Sequence, residues 1–180
     1  PDDKEVAIDP EMLGRVFENL LSENLRKGKG TYYTPREIVY YMCRESLVNY
    51  LVSNHSNITE KNARNYIYYS ESEKNFKEQI SESFTLGQWK ELDDLLKNIK
   101  ICDPACGSGS FLIGAYQYLL DWHAEFYEKD GPADHKKELY QGPGGAWRLT
   151  TAERKRILLN NIYGVDIDTQ AVEVTKLSLL

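Results

Sequence analysis

The sequence predicts an α/β domain that is preceded by a helical segment. Two strand-to-helix units carry this prediction. The first combines the strand "IKICD", the small-residue loop "PACGSG" and the long helix "SFLIGAYQYLLDWHAEFY", which together span residues 99–127. The second combines the strand "NIYGVD", residues 161–166, with the helix "TQAVEVTKLSLL", residues 169–180. Short apolar strands that alternate with helices are typical of a parallel sheet.

The N-terminal half of the chain predicts two helices. Asp9 and Pro10 suit the N-cap and the first position of a helix that ends near "RKGKG". A second helix begins at Pro35 or just beyond it, in "YYTPREIVYYMCRESLVNYLV". Apolar residues recur at helical spacing in both segments. They are Leu13, Phe17, Leu20 or Leu21 and Leu25 in the first helix, and Val39, Cys43, Leu47 and Leu51 in the second.

We predict three regions along the chain. Residues 1–52 form the helical segment, residues 53–90 a variable insertion, and residues 91–180 the first part of the α/β domain, truncated at its C-terminal end. The tyrosine-rich "YIYYS" in the insertion fits either a short strand or a helix surface. Residues 129–149 contain most of the Gly and Pro of this half, which predicts an exposed excursion.

Two helix starts in the α/β region carry recognisable capping residues. Thr150 and Glu153 match a capping box that opens the helix "AERKRILLN". Asp168 is interpreted as the N-cap of the last helix, although it lies only two residues after Asp166.

Composition and charge exclude several classes of protein. No apolar run approaches the roughly 18 residues of a membrane span, and the acidic start "PDDKEVAIDPEM" is unlike a signal peptide, so we expect a cytoplasmic protein. The net charge of −6 means that any nucleic-acid contact is local or lies elsewhere. Cys43, Cys102 and Cys106 suggest no disulfide framework, and no ligand spacing predicts a metal site.

The loop after the first strand predicts a ligand site. A strand, a small-residue loop and a helix in this order place backbone N–H groups at the carboxyl edge of a parallel sheet. Gly107 and Gly109 leave that backbone bare, or simply form a tight turn, and Asp166 at the second strand end suits a ribose. The loop lacks G-K-[ST] and does not match G-x-G-x-x-G. A nucleoside-containing cofactor is therefore expected, and its identity stays open on these residues alone.

Three segments resemble the amino-methylating DNA methyltransferases in the order that this family uses. "DPACGSGSFL" is similar to its S-adenosylmethionine loop, "GTYYTPREIVYYM" to the motif that precedes this loop, and "NNIYGVDIDTQAVEVTKLSL" to the motif with the ribose acid. The helix "DPEMLGRVFENLL" resembles a segment upstream of these motifs in type IIG restriction-modification enzymes and type I modification subunits. The resemblance covers about two thirds of the chain and implies a Rossmann-like S-adenosylmethionine-dependent methyltransferase fold.

The resemblance also implies a role for each matching position. Tyr33, Thr34 and Pro35 would contact the methionine carboxylate, although Thr34 also suits a plain helix entry. Asp166 would hold the ribose and Ile167 would pack on the adenine. The residues that would surround the methionine moiety are Asp103, Pro104, Ala105, Cys106, Gly107, Ser108 and Gly109, with Cys106 as a small loop residue whose thiol does no chemistry.

The family's Asn/Asp-Pro-Pro-aromatic tetrapeptide, which holds the flipped base, does not occur in these 180 residues. We therefore expect the chain to carry the cofactor-binding half of a DNA methyltransferase and no catalytic residue. The expected product is N6-methyladenine, and N4-methylcytosine is the less favoured alternative. Target-recognition and nuclease domains, and the contact with double-stranded DNA, are expected outside this chain. The alternatives are a non-catalytic methyltransferase-like module of a phage-defence system and an RNA or protein methyltransferase.

Overall fold

The computed structural model describes residues 34–68 and 94–179, together with Met12, Val16, Asn19 and Leu20. These four positions are helical, as predicted for the first helix, whereas its predicted cap and most of its apolar stripe lie outside the described residues. None of the helices among the described residues is both long enough and apolar enough to cross a membrane.

Five helices and four short strands follow one another in the described parts of the chain. They are α1 (Arg36–Asn54), α2 (Glu60–Ile67), β1 (Ile101–Asp103), α3 (Ser110–Asp130), β2 (Leu139–Gln141), β3 (Trp147–Leu149), α4 (Thr151–Asn161), β4 (Ile162–Gly164) and α5 (Thr169–Leu179). A helical segment at residues 94–98 precedes β1, and a 3₁₀ turn at Pro143–Gly145 joins β2 to β3.

The strands β1 and β4 form a parallel pair, which confirms the predicted α/β class. Ile101 pairs with Ile162 and Asp103 with Gly164. The pairing continues one residue further, because the backbone N–H of Val165 donates to the carbonyl of Asp103 at 2.9 Å. Both strands therefore end at the same edge of the sheet, and the loops that follow them start side by side there.

The helix α3 forms the centre of the core and packs against α1. Its buried residues include Leu112, Gly114, Leu119, Phe126 and Tyr127. A Cβ atom on Gly114 would lie 3.0 Å from Val39 Cγ1, so the missing side chain lets the two helices approach closely. The predicted inner face of α1 is confirmed, since Val39, Cys43, Leu47 and Leu51 are all buried.

The helix α2 lies in the region predicted as an insertion, and it packs on α1. Tyr66 and Ile67, the first residues of "YIYYS", are buried at its C-terminal end. Arg64 donates to both carboxylate oxygens of Glu45 on α1, at 2.7 and 2.9 Å. The start of the region thus belongs to the core of the described chain, whereas residues 69–90 lie outside the described part and the assignment as an insertion stays a prediction.

The segment at residues 129–149 is largely exposed, as predicted, but it also includes an antiparallel hairpin that packs on α3 and that the sequence analysis did not predict. Leu139 of β2 is paired with Leu149 of β3, and both side chains are buried. His135 lies against the Tyr127 ring of α3, with ring centroids 4.5 Å apart. Two leucines in three-residue strands are too sparse a pattern to reveal these strands among so many Gly and Pro residues.

The predicted capping box at α4 is half confirmed. Thr150 Oγ1 accepts a hydrogen bond from the Glu153 backbone N–H at 3.2 Å. The Glu153 carboxylate instead accepts from the Tyr127 hydroxyl at 2.8 Å and from the Arg156 guanidinium. Burial acts to raise the pKa of Glu153, but the hydrogen bonds from Arg156 and Tyr127 outweigh it and lower the pKa. Glu153 is therefore a buried carboxylate that binds Tyr127 and Arg156 and does not complete the capping box.

His123 is a buried polar side chain in the middle of α3. It is completely buried, and neither ring nitrogen has a hydrogen-bond partner. Burial, reinforced by the charge of Arg156, lowers the pKa of His123 to about 3. The ring is therefore neutral in the folded protein, and below about pH 6.5 the unfolded chain binds a proton that the folded chain excludes.

We expect His123→Phe to stabilise the protein by about 1–3 kcal/mol, because it removes two unsatisfied buried nitrogens and keeps a ring against Tyr127. The gain should increase as the pH falls from about 6.5 towards 3, where the parent loses stability and the variant lacks this titration. Urea unfolding at several pH values measures both effects. A variant that is less stable than the parent at pH 5 would show that the imidazole has a favourable partner.

Candidate functional site

The loop between β1 and α3 is held by hydrogen bonds within the protein. The Asp103 carboxylate accepts from the backbone N–H of Ala105 at 3.0 Å. The N–H of Cys106 donates to the carbonyl of Val165 at 2.9 Å, and the N–H of Gly109 donates back to Cys106 at 2.8 Å. These bonds tie the loop to the end of β4 and give it a defined shape before any ligand binds.

Asp166 joins the two loops at the sheet edge. One carboxylate oxygen accepts from the N–H of Gly107 at 2.8 Å, and the other accepts from the N–H of Asp168 at 2.7 Å. The acid lies two residues beyond the end of β4 and is half-buried. The sequence analysis expected the backbone N–H groups of this loop to face a ligand. The N–H of Gly107 donates to Asp166 instead, and open space lies beside this glycine.

The two loop positions occupied by glycine require it for different physical reasons. Both have positive φ angles, +54° at Gly107 and +84° at Gly109, which favour glycine. A Cβ on Gly109 would lie 2.6 Å from Thr175 Cγ2, so this glycine permits close packing of α5. A Cβ on Gly107 would have no atom within 4 Å. Only Gly107 therefore borders free space of the kind a ligand needs.

Thr175 on α5 supports the loop, and the sequence reasoning did not single it out. Its hydroxyl donates to the carbonyl of Gly107 at 3.0 Å, and its methyl group lies against Gly109. Thr175 is buried one helical turn after the buried Ala171. A hydroxyl side chain on the inner face of the last helix is the signal that could have identified it.

Cys106 is positioned as a packing residue. Its side chain is buried against the end of β4, where a Cβ on Gly164 would lie 3.1 Å from the Cys106 Sγ. Burial, followed by the nearby carboxylates of Asp166 and Asp103, raises the pKa of the Cys106 thiol. The raised pKa keeps the thiol protonated near neutral pH and makes it a poor nucleophile, and the place of Cys106 beside the methionine moiety stays a prediction.

The remaining predicted contacts lie around this loop. Ile167 is fully exposed, and Asp168 is confirmed as the N-cap of α5, since its carboxylate accepts from the Gln170 N–H at 3.0 Å. Thr34 is half-buried and precedes α1, with Pro35 exposed beside it. Tyr33 lies outside the described residues. The structure thus joins Asp166 to the loop, whereas the ligand roles of all these residues stay predictions.

The described residues define an α/β domain with a hydrogen-bonded, glycine-containing loop at the carboxyl edge of its parallel strands. Residues 69–180 match the sequence model of the family described as "MmeI, DNA-methyltransferase domain", and the chain belongs to this family.

Three curated proteins are similar to the chain over different lengths. The putative type II restriction enzyme and methyltransferase RM.MjaORFECS2P of Methanocaldococcus jannaschii is 34% identical over 179 residues, 98% of this chain and 14% of that protein. The type II restriction enzyme and methyltransferase RM.Eco57I of Escherichia coli is 34% identical over 83 residues, 46% of this chain and 8% of that protein. The adenine-specific methyltransferase BrxX of Escherichia coli O9:H4 (strain HS) is 33% identical over 84 residues, 47% of this chain and 5% of that protein.

The chain therefore spans between 5% and 14% of the length of these relatives. All three names include a methyltransferase, described as adenine-specific in one of them, and two of the three names also include a type II restriction enzyme.

Proposed function

We propose that the chain forms the S-adenosylmethionine-binding part of an adenine-N6 DNA methyltransferase in a restriction-modification enzyme. The observation that carries this proposal is the link between Asp166 and Gly107, which brings the acid after β4 to the ligand loop after β1. Family membership supports the reaction class, and the name of one relative, the adenine-specific methyltransferase BrxX, supports adenine as the base. The fold of the intact domain would be Rossmann-like.

The described residues fit the proposed cofactor in shape and in charge. Open space lies beside Gly107, where a methionine chain could approach the backbone. Each oxygen of the Asp166 carboxylate accepts one backbone N–H and keeps a lone-pair direction for a ribose hydroxyl. Ile167 is fully exposed beside it and offers an apolar face for an adenine ring. When bound, the cofactor supplies an electrophilic methyl group on a cationic sulfonium.

The residues of the site would bind and orient rather than transfer protons. Asp103 and Asp166 place negative charge around a cationic ligand, which favours binding of the sulfonium. Thr175 and Asp166 hold Gly107 from two sides, through its carbonyl and its N–H. Thr34, with Tyr33 and Pro35, is proposed to contact the methionine carboxylate. A prefolded loop lowers the entropy cost of ordering the site on binding.

The groups that would bind the target base are proposed to lie in other parts of the intact protein, because this sequence contains no Pro-Pro pair. Methylation of an exocyclic amine requires a pocket that holds the flipped-out base and accepts its amino hydrogens. The target-recognition domain is likewise proposed to lie in other parts of the intact protein. So is a nuclease of the kind that the names of two relatives describe.

Methyl transfer by the intact protein tests this proposal. Incubation with tritiated S-adenosylmethionine and mixed-sequence duplex DNA should label the DNA, and digestion to nucleosides should place the label in N6-methyladenine. Label in N4-methylcytosine would correct the base but keep the reaction class. Label in RNA or protein with none in DNA, or cofactor binding with no transfer to any of these substrates, would contradict the proposed function.

A further inference from the structure

Five exposed cations surround the β2–β3 hairpin and the start of α4. They are named here the basic surface: Lys136, Lys137, Arg148, Arg154 and Lys155. Residues 136–156 contain six Lys and Arg but only two acids, Glu138 and Glu153, in a chain with a net charge of −6. This segment therefore carries the opposite sign of charge to the chain as a whole.

The fold brings these cations together from three pieces of chain. Arg148 is paired across the hairpin with the exposed Tyr140, so both lie at the same level of the two strands. The Thr150 hydroxyl donates to the carbonyl of Lys137 at 2.9 Å, which holds that residue against the N-terminus of α4. Arg154 and Lys155 follow in the first turns of α4, where the helix dipole adds partial positive charge.

The cations of the basic surface form no ion pairs among the described residues, although Glu138 lies half-buried beside Lys137. The nearby acid Glu153 is buried and bound to Arg156 at 2.7 Å. Five exposed cations without acidic partners repel one another, and a bound polyanion would relieve this repulsion.

The hairpin and the cofactor loop lie at opposite ends of α3. The base of the hairpin lies against Tyr127, because His135 contacts that ring, whereas the cofactor loop directly precedes Ser110. At about 1.5 Å per residue, the intervening part of the helix separates these points by roughly 25 Å. The hairpin part of the basic surface is therefore remote from the cofactor loop, whereas Arg154 lies nearer to it, because its backbone carbonyl accepts from the Tyr116 hydroxyl of α3 at 3.0 Å.

We propose that the basic surface binds the phosphate backbone of duplex DNA, away from the base that is methylated. The proposal rests on the proposed function, which supplies DNA as the partner. Within residues 136–156, Tyr140 is the only large hydrophobic side chain that is exposed, so the surface lacks the apolar centre of a protein interface.

Salt-dependent binding of a non-cleavable duplex to the intact protein tests this inference. Lys137→Ala/Arg148→Ala should weaken binding roughly tenfold at low salt and reduce the slope of log Kobs against log salt by about two. Lys136→Ala/Lys155→Ala should give a similar change from different elements. The control Lys61→Ala/Lys176→Ala removes the same net charge from exposed positions on α2 and α5, and should leave the slope unchanged.

The outcomes separate the two proposals. If the parent methylates DNA but both basic-surface variants keep its affinity and salt slope, the inference is overturned. An equal loss in the control would also overturn it, because the effect would then reflect net charge alone. If the parent itself does not transfer methyl groups to DNA, the proposed function is overturned. Thermal melting confirms that the compared variants are folded.

Discussion

Replacing Asp166 by alanine is expected to lower the affinity of the intact protein for S-adenosylmethionine roughly tenfold or more. The substitution removes the proposed bonds to the ribose, each worth about 1.5–3 kcal/mol for a charged acceptor. It also releases the N–H of Gly107, which Asp166 binds at 2.8 Å, so the ligand loop loses one of its anchors. Isothermal titration calorimetry measures the change in Kd.

Asp168→Asn is the matched control for Asp166→Asn, because both remove one negative charge from the same loop. Asparagine at position 168 can still cap α5, where the present carboxylate accepts from the Gln170 N–H. We expect nearly unchanged binding for this control and a large loss for Asp166→Asn. Equal affinities of the two variants would remove the ribose role from Asp166.

The two loop glycines should respond to alanine in opposite ways. Gly109→Ala should destabilise the fold by about 3 kcal/mol, because it combines a positive φ with a clash against Thr175, 2.6 Å from the new Cβ. Gly107→Ala meets no protein atom within 4 Å, so its stability cost is limited to the backbone strain of about 1 kcal/mol. Its methyl group points into the space proposed for the cofactor, and binding should fall.

Urea unfolding and calorimetry on the same samples separate these effects. Thr175→Ala in the Gly109→Ala background should recover part of the lost stability, since it removes the two closest atoms of the clash. If Gly107→Ala bound S-adenosylmethionine as tightly as the parent, the open space beside Gly107 would not be the cofactor site.

Local patterns predicted the elements that position the site. The apolar spacing of Val39, Cys43, Leu47 and Leu51 marked the inner face of α1, and all four are buried. The strand ends and the small-residue loop predicted where β1 stops and α3 starts. These features depend on neighbouring residues in the chain, which is why sequence alone reveals them.

Contacts between distant residues could not be predicted in the same way. The bond from Gly107 to Asp166 joins positions 59 residues apart, and the bond from Thr175 to Gly107 joins positions 68 apart. Both depend on the register of β1 with β4 and on the placement of α5. The hairpin was missed because its buried Leu139 and Leu149 are separated by a polar, glycine-rich turn.

Hydrogen–deuterium exchange on the intact protein tests the central claim most directly. With S-adenosylhomocysteine at a concentration that calorimetry shows to be saturating, amides of residues 103–109 and 165–168 should exchange more slowly. Amides of the hairpin at residues 139–149, at the other end of α3, should be unchanged. Saturated protein with unchanged exchange in both loops, or with protection confined to other parts of the chain, would contradict the assignment of the cofactor site.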